Sequence, residues 1–317
     1  MKIVVSTKAS FWFDPWMADL VRKNGIQLEL LEPGKQYHPN DVICIGLRCK
    51  WNHLDDSYPN NRIIVEGQGE SNSGKWATVY KEDPRILFVY GSCSNSNATN
   101  TVFYENFFWH QVALDYMSRG YHNYRPNKTY KKKFLMPIRN WKGQASWRRE
   151  VFEQLRDIIP DAIYSMYEDG IYLPGSTAKS DVREIHYSWF DDTYFSLTLE
   201  SYYDHEKPIF KTEKMFKPLA FFHPVITIAS PGYLKNLKNH GFETFENLFD
   251  ESYDDIIDIK EKIAILKKNV YNFPYVPYDN ITMQKLEHNH NHFYDTKIIY
   301  QGIQKEFIDP IVKWING

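Results

Sequence analysis

The 317-residue chain is poor in cysteine, with only Cys44, Cys49 and Cys93. Three cysteines close no disulfide framework, and their spacing fits no zinc pattern, so reduced thiols in or near a core are expected. Long hydrophobic runs are missing too: no stretch approaches the roughly 18 apolar residues of a membrane span. The opening MKIVVSTKASFWF has too short an apolar run for a signal peptide and no cleavage-site pattern. A cytoplasmic protein is therefore expected, and the sequons at Asn97, Asn127 and Asn280 read as chance. Neither sign of charge dominates. Lys and Arg number 38 against 40 Asp and Glu, for a net charge of −2 and a pI near 6.6. Such a chain has no global basic field to capture nucleic acid or an anionic membrane, and any contact with DNA needs a local basic patch. Internal repeats and low-complexity blocks are absent.

Two phosphate-binding signatures are incomplete. Gly69-Glu70-Ser71-Asn72-Ser73-Gly74-Lys75 matches most of a P-loop, but Trp76 stands where the magnesium-binding Ser or Thr belongs. Gly67 and Gly69 begin a dinucleotide fingerprint, but Asn72 replaces its third glycine. Kinase, ATPase and dehydrogenase readings fall on these defects.

What is present is a globular composition, 43% hydrophobic, long enough for two domains with separate cores. Aromatic residues make up 16%, which suits a sugar or base pocket and suits an aromatic-rich core equally well. The N-terminal part alternates strands and helices. Strands are expected at 3–6, 27–31, 41–46, 62–66 and 86–90, with helices at 15–23 and from about 101 to 119. Repeated strand–helix order implies a parallel sheet with covered faces. The polar tract from Tyr121 to Lys133 contains Pro126, lacks periodicity and reads as an interdomain linker. Beyond it the pattern restarts. Strands are expected at 134–138, 162–166, 195–199 and 225–229, and helices at 147–158, 213–222, 233–240, 254–272 and much of 281–315.

The stretch FSLTLESYYDHEKPIFKTEKMFKPLAFFHPVITIASPGY, residues 195–233, is the most informative. A strand ends in Glu200, and a helix opens on Thr212-Glu213-Lys214 after a polar loop. A helix N-terminus favours anions through its free N–H groups and dipole. Lys214 adds a point charge for a phosphate, and Glu213 can accept hydrogen bonds from a ribose diol. A nucleotide diphosphate is the ligand this chemistry suggests.

Glu200-Ser201, the loop, and Thr-Glu-Lys followed by Phe216, Leu219 and Ala220 resemble the donor-binding motif of α1,3-fucosyltransferases. The run 212–218 is more similar still to phage- and virus-encoded glycosyltransferases that read S/T-E-K-x-F-K-P. That resemblance implies an α/β chain of GT-B type, two Rossmann-like domains facing a central cleft. It implies an acceptor-binding domain over 1–125, a nucleotide-sugar-binding domain over 126–295, and a final helix within 296–317 crossing back to the first. A UDP-sugar donor is expected first and a GDP-sugar second, with no essential metal. For a phage-encoded enzyme the cytoplasm is the host's. Ser201 stands where fucosyltransferases have Asn, so the donor sugar does not carry over.

In open parallel sheets ligands sit beyond the carboxyl ends of the strands. After strand 134–138 that places Arg139, then Lys142, for a diphosphate; the adjacent Arg148 and Arg149 cannot both face a cleft. Donor-binding candidates are thus Arg139, Lys142, Glu200, Thr212, Glu213 and Lys214. Buried Glu200 needs a partner, either a backbone amide near 230–232, Lys214 or the sugar. Inverting transfer needs a base, for which Glu66 comes first and Asp14 second; a retaining transfer needs none. Trp12, Trp16, Trp51 and Trp109 are candidate stacking platforms for the acceptor. His288, His290 and His292 invite a metal, but capping or an interdomain contact is the expectation. The run Arg125, Lys128, Lys131, Lys132 and Lys133 could touch nucleic-acid phosphates. The resemblance to phage enzymes, some of which glycosylate hydroxymethylated cytosine in DNA, implies a hydroxymethylated base in phage DNA as the favoured acceptor, flipped out of its stack. The alternatives are a saccharide acceptor, a non-catalytic nucleotide- or sugar-binding protein, and a DNA-binding protein without chemistry.

Overall fold

A computed structural model describes residues 1–6, 12, 15–32, 34–46, 58–67, 80–91, 98–140, 146–181, 183–203 and 209–317. It forms two compact units: Met1–Phe107 with Thr296–Gly317, and Phe108–Asp295. The expected α/β class with parallel sheets holds in both.

In the first unit, β1 (Lys2–Val5), β2 (Gln27–Leu30), β3 (Val42–Gly46), β4 (Arg62–Gly67), β5 (Ile86–Gly91) and β6 (Thr101–Tyr104) form one sheet. Its order is β2-β1-β3-β4-β5-β6, and every pair is parallel. The inner strands β3 and β5 are buried at every position, so they read as continuous apolar runs rather than alternating ones. Ile43, Ile45, Ile63, Val65, Phe88 and Tyr90 form one side of the core. Edge strand β2 has no buried residue. Helix α1 (Pro15–Lys23) connects β1 to β2.

One departure from the sequence reading changes the type of an element. Residues 101–119 were expected as a single helix, but Thr101–Tyr104 is a strand paired with β5, and helix α2 covers Phe107–Ser118. Thr-Val-Phe-Tyr is β-branched and aromatic, and the open edge of β5 satisfies its backbone.

In the second unit, β7 (Lys132–Ile138), β8 (Ala162–Met166), β9 (Thr193–Leu199) and β10 (Val225–Ile228) lie in the order β10-β9-β7-β8, again all parallel. The helices are α3 (Trp147–Gln154), α4 (Tyr187–Asp191), α5 (Glu213–Ala220), α6 (Tyr233–Asn239), α7 (Ile259–Asn272) and α8 (Asn280–Phe293). Asp258 caps α7 by accepting from the amides of Lys260 and Glu261, which is why that helix starts after residue 254. Because this unit begins at Phe108, the tract 121–133 lies inside it rather than between two domains.

The chain returns to the first unit through α9 (Thr296–Ile303), a π-helical turn (Gln304–Ile308) and α10 (Asp309–Asn316). Phe307 packs against Trp12 at 4.9 Å and Tyr104 at 5.5 Å between ring centroids. The Glu306 carboxylate accepts from the backbone and side chain of Asn106 at 3.0 and 2.7 Å.

Candidate functional site

The strand order of the second unit puts β7 between β8 and β9, so the connections leaving β7 and β9 depart on opposite sides. Ligands of open parallel sheets bind at such a switch point, outside the carboxyl ends of its strands. β7 ends at Ile138 and β9 at Leu199, so the first residues beyond the switch point are Arg139 and Glu200. Arg139 is half-buried, donates to the Ser180 carbonyl at 3.1 Å and lies 5.2 Å over the Tyr167 ring.

Glu200 is completely buried. One carboxylate oxygen accepts from the Thr212 amide at 3.1 Å and the Tyr233 hydroxyl at 2.5 Å. The other accepts from the Ser201 amide at 3.1 Å and the Thr212 hydroxyl at 2.6 Å. These internal donors are the partners that a buried carboxylate requires. A backbone amide near 230–232, Lys214 or the donor sugar was expected as partner of this donor-binding candidate; its oxygens tie β9 to the starts of α5 and α6 through Thr212 and Tyr233.

Thr212 caps α5, its side chain accepting from the Lys214 amide. The amide of Thr212 goes to Glu200, and that of Lys214 goes to the Thr212 hydroxyl. The start of α5 therefore offers side-chain charge more than the open backbone donors read from the sequence. The Lys214 ammonium bonds the hydroxyls of Ser201 and Thr212 and the Glu213 carboxylate, each at 3.1 Å. Burial works against the charge of Glu213. The neighbouring ammonium groups of Lys214 and Lys217 and the bond from Lys214 outweigh it and hold the carboxyl at about 2. Lys217, one turn further along, is pushed down to about 8 by burial; Glu213 and Asp181 oppose the shift, while Lys214 and Arg139 add to it. Lys217 thus has Glu213, Lys214, Asp181 and Arg139 as its charged neighbours, and Glu213 has Lys214 and Lys217. Sequence reading missed Lys217, although its i+3 spacing from Lys214 placed it on the same helix face.

Arg148 was missed as well. It is 3% exposed, its Nε and Nη2 donate to the Glu200 carbonyl at 2.9 and 2.6 Å, and its Nη1 donates to the Asn140 carbonyl at 2.8 Å. Arg149 points elsewhere, to Asp169 at 2.8 Å.

Glu66 is the penultimate residue of β4, 5% exposed and in register with Gly46 and Val89. Asp14, Lys142 and Trp51 lie outside the described residues, as do 69–75. Trp16 falls in α1 at a position whose side chain also lies outside the description. Trp12 and Trp109, expected as stacking platforms, are core residues at 0% and 2% exposure. Trp109 donates its Nε1 proton to the Phe293 carbonyl at 3.0 Å and packs edge-on against Phe242. Both rings are consumed by packing, which an aromatic-rich core demands and a residue count does not reveal.

The basic tract makes contacts within its own unit. Lys128 donates to the Phe190 carbonyl at 2.8 Å, and burial pushes its ammonium down to about 7 despite nearby Asp191. Lys131 pairs with Asp192 at 3.0 Å, Lys133 with Asp161 at 2.7 Å, and Lys132 bonds the Pro160 carbonyl. Arg125 lies 5.8 Å from the Phe222 ring centroid. The three histidines of α8 are likewise in packing roles. His288, His290 and His292 each bond a different carbonyl, of Gly241, Ala220 and His240. Among the described residues, no group of three or more His, Cys, Asp or Glu is placed to hold a metal, and no helix is long and apolar enough to cross a membrane.

No protein-family model matches the chain, and no curated protein matches it. Among solved structures it is similar to the crystal structure of an α1,3-fucosyltransferase with GDP-fucose. The identity is 13%, the TM-score 0.38, and the match covers 95% of this chain and 92% of that one. Likeness at that level leaves the functional reading to the side chains.

Proposed function

We propose that the chain is a nucleotide-sugar-dependent glycosyltransferase of GT-B type, with the second unit holding the donor. The observation that carries this reading is the cluster of Arg139, Lys214, Lys217 and Glu213 beside the β7/β9 switch point. Three cations outnumber the carboxylates of Glu213 and Asp181, which suits a diphosphate leaving group whose growing charge they stabilise as the bond to the anomeric carbon breaks. The Lys214 ammonium already has three acceptors, so a phosphate oxygen reaches it by exchanging one of them, with Glu213 turning to the ribose diol. Glu66 remains the candidate base for an acceptor hydroxyl.

The acceptor reading shifts. The basic residues that could meet DNA phosphates make contacts within the second unit. A saccharide hydroxyl needs no phosphate contacts, and we place it first. Sugar consumption measured with saccharide mixtures, plain duplex and hydroxymethylated duplex separates the two; stimulation by the hydroxymethylated duplex alone restores the DNA acceptor.

The donor is tested by thermal stabilisation across UDP-, GDP- and ADP-sugars, with UDP-sugars tried first. A ligand at 100 times its Kd adds about 2.7 kcal/mol. Lys214→Ala removes the stabilisation if the reading is right. A wild-type chain that responds to none of these donors refutes it.

A further inference from the structure

The two halves of the cation cluster come from different connections. Arg139 belongs to the segment leaving β7, and Lys214 and Lys217 belong to the helix that follows β9. Their separation must be fixed for both to meet one diphosphate. A single buried guanidinium bridges the two segments. Arg148 reaches Asn140, the residue after Arg139, with Nη1, and reaches the carbonyl of Glu200 with Nε and Nη2. The side chain of that same Glu200 holds the amide and hydroxyl of Thr212. The Thr212 hydroxyl in turn accepts from the Lys214 ammonium at 3.1 Å. Bonded contacts therefore run without a break from Asn140 through Arg148, Glu200 and Thr212 to Lys214.

We infer that Arg148 is the positioning residue of this site: it sets the spacing between Arg139 and Lys214, and so the affinity for a diphosphate, without touching the ligand. The inference rests on the diphosphate reading above. Its chemical basis is the rigid planar fork of guanidinium, which donates in several directions at fixed angles. An ammonium is a single point and cannot reach both carbonyls in that geometry. At 3% exposure, Arg148 has little surface to offer a ligand directly.

The test uses Arg148→Lys, Arg148→Gln and wild type, with UDP, GDP and inorganic pyrophosphate as probes in calorimetric titration. Each variant is first melted, and binding is read well below every transition. Arg148→Lys keeps the charge and loses one of the two segments. Binding of the tighter nucleoside diphosphate and of pyrophosphate is expected to weaken by about tenfold or more, the scale of one charge-assisted hydrogen bond. Arg148→Gln keeps a planar amide that reaches one carbonyl only, and it is expected to weaken both probes similarly. In either background Lys214→Ala should cost much less than in wild type, because the lysine is already misplaced. Lower melting temperatures with unchanged affinities, or a Lys214→Ala effect that stays additive, overturn the inference while leaving the donor reading intact. Wild type that binds no diphosphate at all overturns both.

Discussion

Replacing Glu200 by Gln is the sharpest probe of the network behind the candidate site. The two residues are nearly isosteric, so the change is one of hydrogen-bond polarity. Each Glu200 oxygen accepts from one backbone amide and one hydroxyl: Thr212 amide with Tyr233 hydroxyl, and Ser201 amide with Thr212 hydroxyl. A hydroxyl can rotate and become an acceptor, but an amide cannot. Whichever way the glutamine is turned, its NH₂ group faces one backbone N–H. That orphaned donor costs about 1–3 kcal/mol, and the other bonds lose charge assistance worth roughly 0.5–1 kcal/mol each. The expected loss is therefore about 3–5 kcal/mol, a large share of the ~5–15 kcal/mol stability of a domain. At roughly 2–4 °C per kcal/mol, the melting temperature of the second unit should drop by about 6–20 °C. Urea unfolding should be followed by tryptophan fluorescence, because Trp109 and Trp189 are buried in this unit, and the two units need not unfold together. Tyr233→Phe alone removes one charge-assisted bond and should cost about 1.5–3 kcal/mol. Combined with Glu200→Gln it should cost distinctly less, since the charge it served is gone. A Glu200→Gln loss below ~1 kcal/mol with an unchanged urea slope, or strict additivity of the two changes, would show that the network does not hold the unit together.

Diphosphate affinity should fall as pH rises through about 8, where Lys217 loses its charge, and Lys217→Arg should hold the affinity flat; a curve with no inflection there refutes the cluster. Stability responds to the same group in the opposite sense. Its pKa is lower in the folded chain than its ordinary value, so its unfavourable contribution fades as pH rises from about 8 towards the unfolded value. Glu213, held at about 2, contributes stability that is present above its unfolded pKa and lost as pH falls towards 2, which acid titration of Glu213→Gln against wild type can isolate. Trp109→Ala should cost about 3–5 kcal/mol of stability while leaving nucleotide and sugar affinities unchanged at low temperature; selective loss of sugar binding would restore it as a platform. Glu66→Gln should slow sugar transfer by about 10²–10⁴-fold with nucleotide affinity retained, and unaltered turnover would make it a purely structural part of β4.

The backbone plan was legible where local patterning and tertiary packing agree. Short β-branched runs such as 42–46 and 62–67 became inner strands, and Thr212 capped the helix it was expected to cap. Position along the chain was also enough to bring Arg139 and Glu200 to one switch point, because strand ends in a parallel sheet share an edge. Side-chain roles were less readable. Whether Glu200 meets a ligand or meets Thr212 and Tyr233 depends on Tyr233, which is distant in sequence and has no motif to announce it. Arg148 and Arg149 are chemically identical neighbours; only the packing of α3 decides that one is buried and the other pairs with Asp169 at the surface. The lysines of 128–133 look like a charged tract in one dimension, while in three each finds a carbonyl or carboxylate of its own unit.

The return of Thr296–Gly317 to the first unit has a bearing on biosynthesis. On the ribosome, all of Phe108–Asp295 emerges before the segment that carries Phe307. Until then Trp12 and Tyr104 lack the ring of Phe307, and Asn106 lacks the carboxylate of Glu306. The usual vectorial order, amino-terminal domain first, is thereby inverted: the later-encoded unit can mature while the earlier one waits. A released fragment ending at Asp295 should resist protease in its second half and be cut in its first.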